Sequence, residues 1–176
     1  MSETSKKHKA SAPKQLKFAF YICSTSRYQE LQRGEKIIDI SGDTIEALLK
    51  NAGHVVLSRK IIADDKSLIT EAVKNVLNSK EIDAAIFCGG TGIAPKDVTI
   101  ETVQPFLEKV LPGFGEIFRR LSYDKVGSAA VMSRAVAGVA KSKALFCIPG
   151  SPDAVHVSVE MLILPEAPHI VRHIRE

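Results

Sequence analysis

Three short segments of this chain combine residue types that could hold a phosphate or a flat polar ring. Gly89, Gly90, Thr91 and Gly92 close an apolar stretch. Without a Cβ, glycine lets backbone N–H groups come close to an anion, and a helix starting nearby favours negative charge. A tight turn needing positive φ would select the same residues. The segment matches neither the Gly-x-Gly-x-x-Gly fingerprint nor a P-loop, because no Gly-Lys-Ser/Thr follows. The second segment is Pro95, Lys96, Asp97, Val98, Thr99, Ile100 and Glu101. Asp97 can cap a helix starting there, or hold a magnesium ion against phosphate oxygens beside the glycines. The third is Pro149, Gly150, Ser151 and Pro152, in which a hydroxyl followed by proline opens a helix and also makes an anion site. Asp64 and Asp65 read either as a solvated loop or as acids reaching the same place.

Other polar groups have simpler readings. His169 and His173 have a metal-capable spacing of four, but a third ligand is missing nearby, so they read as surface histidines. Arg119, Arg120 and Lys125 read as a solvated helix face. Cys23, Cys88 and Cys147 are far apart, odd in number and set in apolar stretches, which predicts buried thiols in a reducing cytoplasm rather than a disulfide frame or a zinc site. The net charge of +4 comes entirely from the first 17 residues, where Lys6, Lys7, Lys9, Lys14 and Lys17 face only Glu3. The rest balances, so no basic nucleic-acid face is indicated. Residues 1–13 lack an apolar run, which argues against a secretory signal or a membrane span, and residues 1–15 are expected to be a disordered basic tail.

The elements that must position these residues follow from periodicity. Residues 17–25 (KFAFYICST) form a nearly continuous apolar run, which predicts a strand buried on both faces. After a polar loop, Ile45, Leu48, Leu49 and Ala52 recur at helical spacing, with Ser41 and Asp43 as cap candidates. Residues 54–62 predict a second strand. Leu68, Ile69, Ala72, Val73, Val76 and Leu77 predict a second helix capped by Ser67. Residues 84–88 predict a third strand, 99–111 and 112–124 two helices, and 144–148 a further strand. Residues 128–143 suit short strands or a hairpin of open boundaries. Ser151, Pro152 and Asp153 head a helix to about Leu164, and 166–175 form the last one. Strand and helix alternating in this way predict an α/β fold: one three-layer domain over residues 16–176, with a mostly parallel sheet and helices on both faces. In such a sheet the three segments fall together beyond the C-terminal strand ends, where ligands collect.

Taken as a set, GGTG at 89–92, KDVTIE at 96–101, PGFGE at 112–116, MSRA at 132–135 and PGSP at 149–152 resemble the MoaB/Mog family in order and spacing. The likeness runs from Phe18 to about Leu164. Molybdopterin insertases and competence-damage proteins share the fold but vary the glycine loop and the segment after it. The resemblance implies molybdenum or tungsten cofactor biosynthesis, with an adenylyl group passing from ATP to molybdopterin and pyrophosphate leaving. It implies Asp64 and Asp97 as catalytic, magnesium-holding acids. It also implies that Gly89, Gly90, Thr91, Gly92, Ser133, Gly150, Ser151 and Pro152 bind the pterin or nucleotide. Lys96 stands where the family commonly has arginine, and Ile100 replaces a usual proline; a lysine cannot reproduce bidentate phosphate binding. The resemblance further implies a homo-oligomer, trimer or hexamer, and a molybdenum insertase as downstream acceptor, with neither nucleic acid nor membrane as partner. Two other readings stand beside it: a non-catalytic molybdopterin-binding or assembly protein of the same fold, and a flavodoxin-like nucleotide binder of unrelated function.

Overall fold

The computed structural model describes residues 13–176, so residues 1–12 of the expected tail lie outside the described residues, while 13–15 form neither helix nor strand. The order of elements is β1 (Lys17–Cys23), α1 (Thr25–Gln32), α2 (Ile40–Asn51), β2 (Val55–Ile62), α3 (Lys66–Asn78), β3 (Ala84–Cys88), α4 (Thr99–Val103), β4 (Lys109–Val110), α5 (Pro112–Val126), β5 (Val136–Ala140), β6 (Lys143–Ile148), α6 (Pro152–Ser158) and α7 (Leu164–His173). Six strands make one sheet in the order β2-β1-β3-β6-β5-β4. The pairs β1–β2, β1–β3 and β3–β6 are parallel, while β5 runs against both β6 and β4.

Strand alternation sorts the core into two layers. Phe18, Phe20 and Ile22 of β1 join Ile86 and Phe146 under Ile45 and Leu49 of α2 and Val155 and Val171 of the C-terminal helices. Ala19, Tyr21 and Cys23 face the other way, with Phe87 and Cys147 against Ile69, Val73 and Val76 of α3. Phe18, Phe20, Phe87 and Phe146 are at most 1% exposed, and burial of each such ring stabilises the fold by about 1.5–3 kcal/mol. The three layers match the α/β reading.

Several local expectations are corrected. The polar loop before α2 contains α1, whose residues are never buried, so it offers no apolar period to read. Helix α2 is capped by Asp39, not by Ser41 or Asp43. The Asp39 Oδ1 accepts from the Gly42 N–H at 3.0 Å, while Arg59 holds its other oxygen at 2.8 Å. Helix α3 is likewise capped by Asp65 rather than Ser67, its carboxylate accepting from the Ser67 and Leu68 amides. The helix expected over 99–111 stops at Val103. Pro105 lacks the N–H that the next turn needs, a 3-10 turn follows at Gln104–Phe106, and Lys109–Val110 pair with β5 instead. The undefined 128–143 stretch becomes a 3-10 turn (Gly127–Met132), β5 and the start of β6. The last two helices are joined through a π turn at Val159–Ile163.

Candidate functional site

The strands β1, β2, β3 and β6 end together at Cys23, Ile62, Cys88 and Ile148, and two glycine turns leave that edge back to back. Gly89 (φ +103°) continues the ladder by donating its N–H to the Ile148 carbonyl at 2.9 Å; a Cβ there would strike the Cys23 carbonyl. A Cβ on Gly150 would lie 3.2 Å from the Gly89 Cα. The turn reading of the glycines therefore holds at Gly89 and Gly90, both at positive φ, and it coexists with a polar site built around them.

That site begins at Gly90. At φ +60° its absent side chain leaves space for two oxygens: a Cβ would lie 2.5 Å from both the Asp64 Oδ1 and the Thr99 Oγ1. Both atoms are buried and lack a hydrogen-bond partner of ordinary geometry, Thr99 Oγ1 having only the Cys23 thiol beside it, which is costly unless a ligand, ion or water completes them. The other Asp64 oxygen is fixed by Thr25, whose N–H donates to Oδ2 at 2.8 Å and whose hydroxyl lies 3.0 Å away. Thr25 opens α1, so the helix N-terminus faces the carboxylate. Thr99 is fixed from the backbone, donating its N–H to the Gly90 carbonyl at 3.0 Å.

Asp97 lies against the same loop two residues on. A Cβ on Gly92 would meet its Oδ2 at 2.6 Å, and that oxygen accepts from the Ala94 N–H at 2.8 Å. Asp97 does not cap α4; Val98 occupies the cap position without a side-chain bond. Asp64 and Asp97 thus flank one glycine loop, whereas Asp65 is occupied as a helix cap. Thr91 is buried, and its carbonyl accepts from Arg134 Nε at 2.9 Å.

Ser133, Pro149 and Ser151 line a second feature, a cleft of about 160 Å³ with Lys125 and Asp153 at its walls. The Ser151 hydroxyl caps α6 by accepting from the Ala154 N–H at 3.4 Å, the structural half of its reading. Pro152 sits at the first turn of α6. Ser41 ties α2 to this turn by donating to the Gly150 carbonyl at 2.8 Å. Lys125 is exposed, as expected of a solvated helix face, and also borders the cleft, while Arg120 pairs with Asp124.

Thr25, Ser41, Thr99 and Arg134 are the members that the sequence reading did not assign. Thr99 and Arg134 fall within the family-like motifs KDVTIE and MSRA, which was a usable signal. Thr25 and Ser41 act only across elements that the sequence does not place side by side. Of the histidine pair, His173 is exposed as expected while His169 is half-buried, and their Nε2 atoms lie 2.9 Å apart. Among the described residues no group of three or more metal-type ligands forms. A larger cavity of about 530 Å³ borders those histidines beside β4 and β5, away from the glycine turns.

The cysteines are not poised for chemistry. Burial pushes the Cys23 thiol up to about 12, with contact to Thr99 opposing this and the Asp64 charge adding to it. Burial also raises Cys88 and Cys147. All three stay protonated near neutrality.

An open, mostly parallel sheet with glycine turns, buried hard oxygens and a helix N-terminus at its strand ends is the arrangement at which α/β proteins collect small-molecule ligands. The chain belongs to the family described as the probable molybdopterin binding domain, whose model matches residues 21–169. It is 42% identical to molybdenum cofactor biosynthesis protein B of Bacillus subtilis over 96% of each chain. It is 38% identical to a probable molybdopterin adenylyltransferase of Methanocaldococcus jannaschii, over 93% of this chain and 96% of that one. Its fold superposes on the tungsten cofactor synthesizing protein MoaB from Pyrococcus furiosus with a TM-score of 0.82, at 37% identity over 94% of this chain and all of that one.

Proposed function

We propose that this chain transfers an adenylyl group from ATP to molybdopterin in molybdenum or tungsten cofactor biosynthesis, releasing pyrophosphate. The observation that carries the reading is the pair of buried, unpartnered oxygens, Asp64 Oδ1 and Thr99 Oγ1, facing one another's space across Gly90. Hard oxygen donors of this kind suit magnesium. Asp64 and Asp97 would hold the ion, and it would supply charge neutralisation on the ATP phosphates when bound.

In the reaction an oxygen of the molybdopterin phosphate forms a bond to the α-phosphorus of ATP as the bond from that phosphorus to the β-phosphate bridge breaks, and the electron pair leaves with pyrophosphate. Such a transfer needs positioning and charge stabilisation rather than a protein nucleophile, in keeping with three protonated thiols at the strand ends. Thr25 keeps the Asp64 carboxylate oriented through two donors. The 89–92 turn presents backbone to the ligand, and Ser133, Gly150, Ser151 and Pro152 hold the pterin side. The cleft at Ser133 is smaller than the roughly 300 Å³ of a site enclosing a whole ligand, so it takes one end of the pterin and leaves the phosphate at the glycine turn.

In this proposal the chain works as a cytoplasmic homo-oligomer, trimer or hexamer, and passes its product to a molybdenum insertase. Exposed Val131 and Met132, 85% and 54% accessible, support self-association beside the cleft. Among the described residues no helix is long and apolar enough to cross a membrane. The test is purified protein with molybdopterin, ATP and magnesium, assayed for pyrophosphate. Turnover that disappears on omitting magnesium is the expected result. A protein that binds molybdopterin yet never releases pyrophosphate would replace the enzyme with a binding module.

A further inference from the structure

Ser133 and Arg134 are neighbours in sequence, yet they serve different parts of the site. Ser133 lines the cleft with Pro149 and Ser151, whereas Arg134 turns to the glycine loop. Its Nε donates to the Thr91 carbonyl at 2.9 Å, and its two terminal nitrogens donate to the two oxygens of Glu101 at 2.6 and 3.2 Å. Thr91 is the buried centre of the loop, and Glu101 stands on α4, the helix that Thr99 begins. Hydrogen bonding from Arg134 holds the Glu101 carboxyl below its ordinary range, with burial acting against it.

A guanidinium presents its donors in a rigid plane, so three bonds from one plane fix the separation of the groups they reach. Here that plane sets Thr91 against α4. The next stretch of chain, residues 93–96, is exposed, with Ile93 70% accessible, and is tied mainly by the local bonds between Ala94 and Asp97. Because the Gly90 carbonyl accepts from Thr99 N–H, a shift of the loop would also alter the space between Asp64 and Thr99.

We propose that Arg134 is a positioning residue. It locks the 89–92 loop to α4 and, through the adjoining Ser133, sets the distance between that loop and the pterin-side cleft. The kinetic consequence rests on the adenylyl-transfer reading; the ordering of the loop does not. Arg134 contacts no reacting atom in this role.

The test uses the full chain with Arg134→Gln, Arg134→Lys and Glu101→Gln. In hydrogen exchange without substrate, amides of residues 90–97 in Arg134→Gln should exchange about tenfold faster, the signature of a locally weakened segment, while β1 and β3 stay protected. Glu101→Gln should loosen the same amides to a smaller degree, because the bond from Arg134 to Thr91 remains. Arg134→Lys should recover part of the protection, since a lysine can reach one acceptor but not the fork. In turnover, KM for molybdopterin should rise about tenfold in Arg134→Gln, with KM for ATP and kcat changed less than about threefold, the pattern of lost ground-state positioning. Unchanged exchange in the loop overturns the proposal. So does faster exchange spread evenly over the sheet, which would make Arg134 a general stabiliser. If the wild-type chain shows no turnover, the enzymatic reading fails while the exchange result still decides the role of Arg134.

Discussion

Replacing Gly90 by alanine tests the centre of the site with a single carbon atom. Gly90 sits at φ +60°, where an L side chain costs about 1–2 kcal/mol. The new Cβ would lie 2.5 Å from Asp64 Oδ1 and from Thr99 Oγ1, whereas unbonded carbon and oxygen settle nearer about 3.3 Å. Each oxygen would therefore have to retreat by roughly 0.8 Å. Asp64 cannot do so without loosening its bonds from Thr25 at 2.8 and 3.0 Å, and one weakened bond to a charged group costs about 1.5–3 kcal/mol. The expected loss is about 2.5–5 kcal/mol, or a fall in melting temperature of roughly 5–20 °C for a chain of this size, together with loss of pyrophosphate release. The side chain acts by displacing protein oxygens, not by filling the ligand's own space. Thermal melts of Gly90→Ala, Thr99→Ala and the double variant measure this. Removing Thr99 Oγ1 should relieve part of the clash, giving a coupling of about 1 kcal/mol or more. Gly113→Ala, where a Cβ meets nothing within 4 Å, serves as the neutral control. A Gly90→Ala melt equal to wild type, or strict additivity in the double variant, would refute the reasoning.

Three other variants probe the same geometry. Asp97→Asn keeps an oxygen for the Ala94 N–H, so its melting temperature should stay near wild type while pyrophosphate release drops on the order of a hundredfold or more; an unchanged rate removes Asp97 from the machinery. Neighbouring acids should separate cleanly: Asp65→Ala loses a helix cap, costing about 1 kcal/mol with kcat retained, whereas Asp64→Ala abolishes turnover, and equal kinetic defects would contradict the division. Burial lowers the pKa of His54, whose Nδ1 accepts from the Leu16 N–H at 3.2 Å. The unfolded chain therefore takes up that proton first, and the stability contributed by neutral His54 is full above about pH 6.5 and falls as pH drops through it. Melts at pH 7.5 and 5.5 should show a larger decrease for wild type than for His54→Asn; parallel decreases would count against a buried neutral histidine.

The apolar runs at β1, β3 and β6 carry the fold in plain view, because strands buried on both faces leave few polar residues to confuse the reading. Helices are legible only where one face is buried. The helix α1 buries nothing and leaves no pattern to find, and the cap of α2 escapes sequence reasoning because what selects Asp39 is Arg59, a residue two elements away. The site shows the same division. Gly89, Gly90 and Asp97 announce themselves by residue type in a loop, the MSRA motif adds Ser133, and the family resemblance singles out Asp64 from its neighbour Asp65. Thr25 cannot be found that way, since its role exists only where the ends of β1 and β2 meet.

The reversal of β5 has a consequence for how this architecture can diversify. Parallel strands deliver residues to the ligand edge only after they end, and the chain must then return through a helix of suitable length. A strand running the other way delivers residues before it begins, which is how Ser133 and Arg134 arrive beside turns that follow β3 and β6. The preceding 3-10 turn at Gly127–Met132 is bound by no crossover, so insertions there leave the strand pairing intact and carry a small entropic cost. It is the segment in which a lineage could reshape the cleft lined by Ser133 and Ser151 while Asp64, Asp97 and the glycine turns stay fixed.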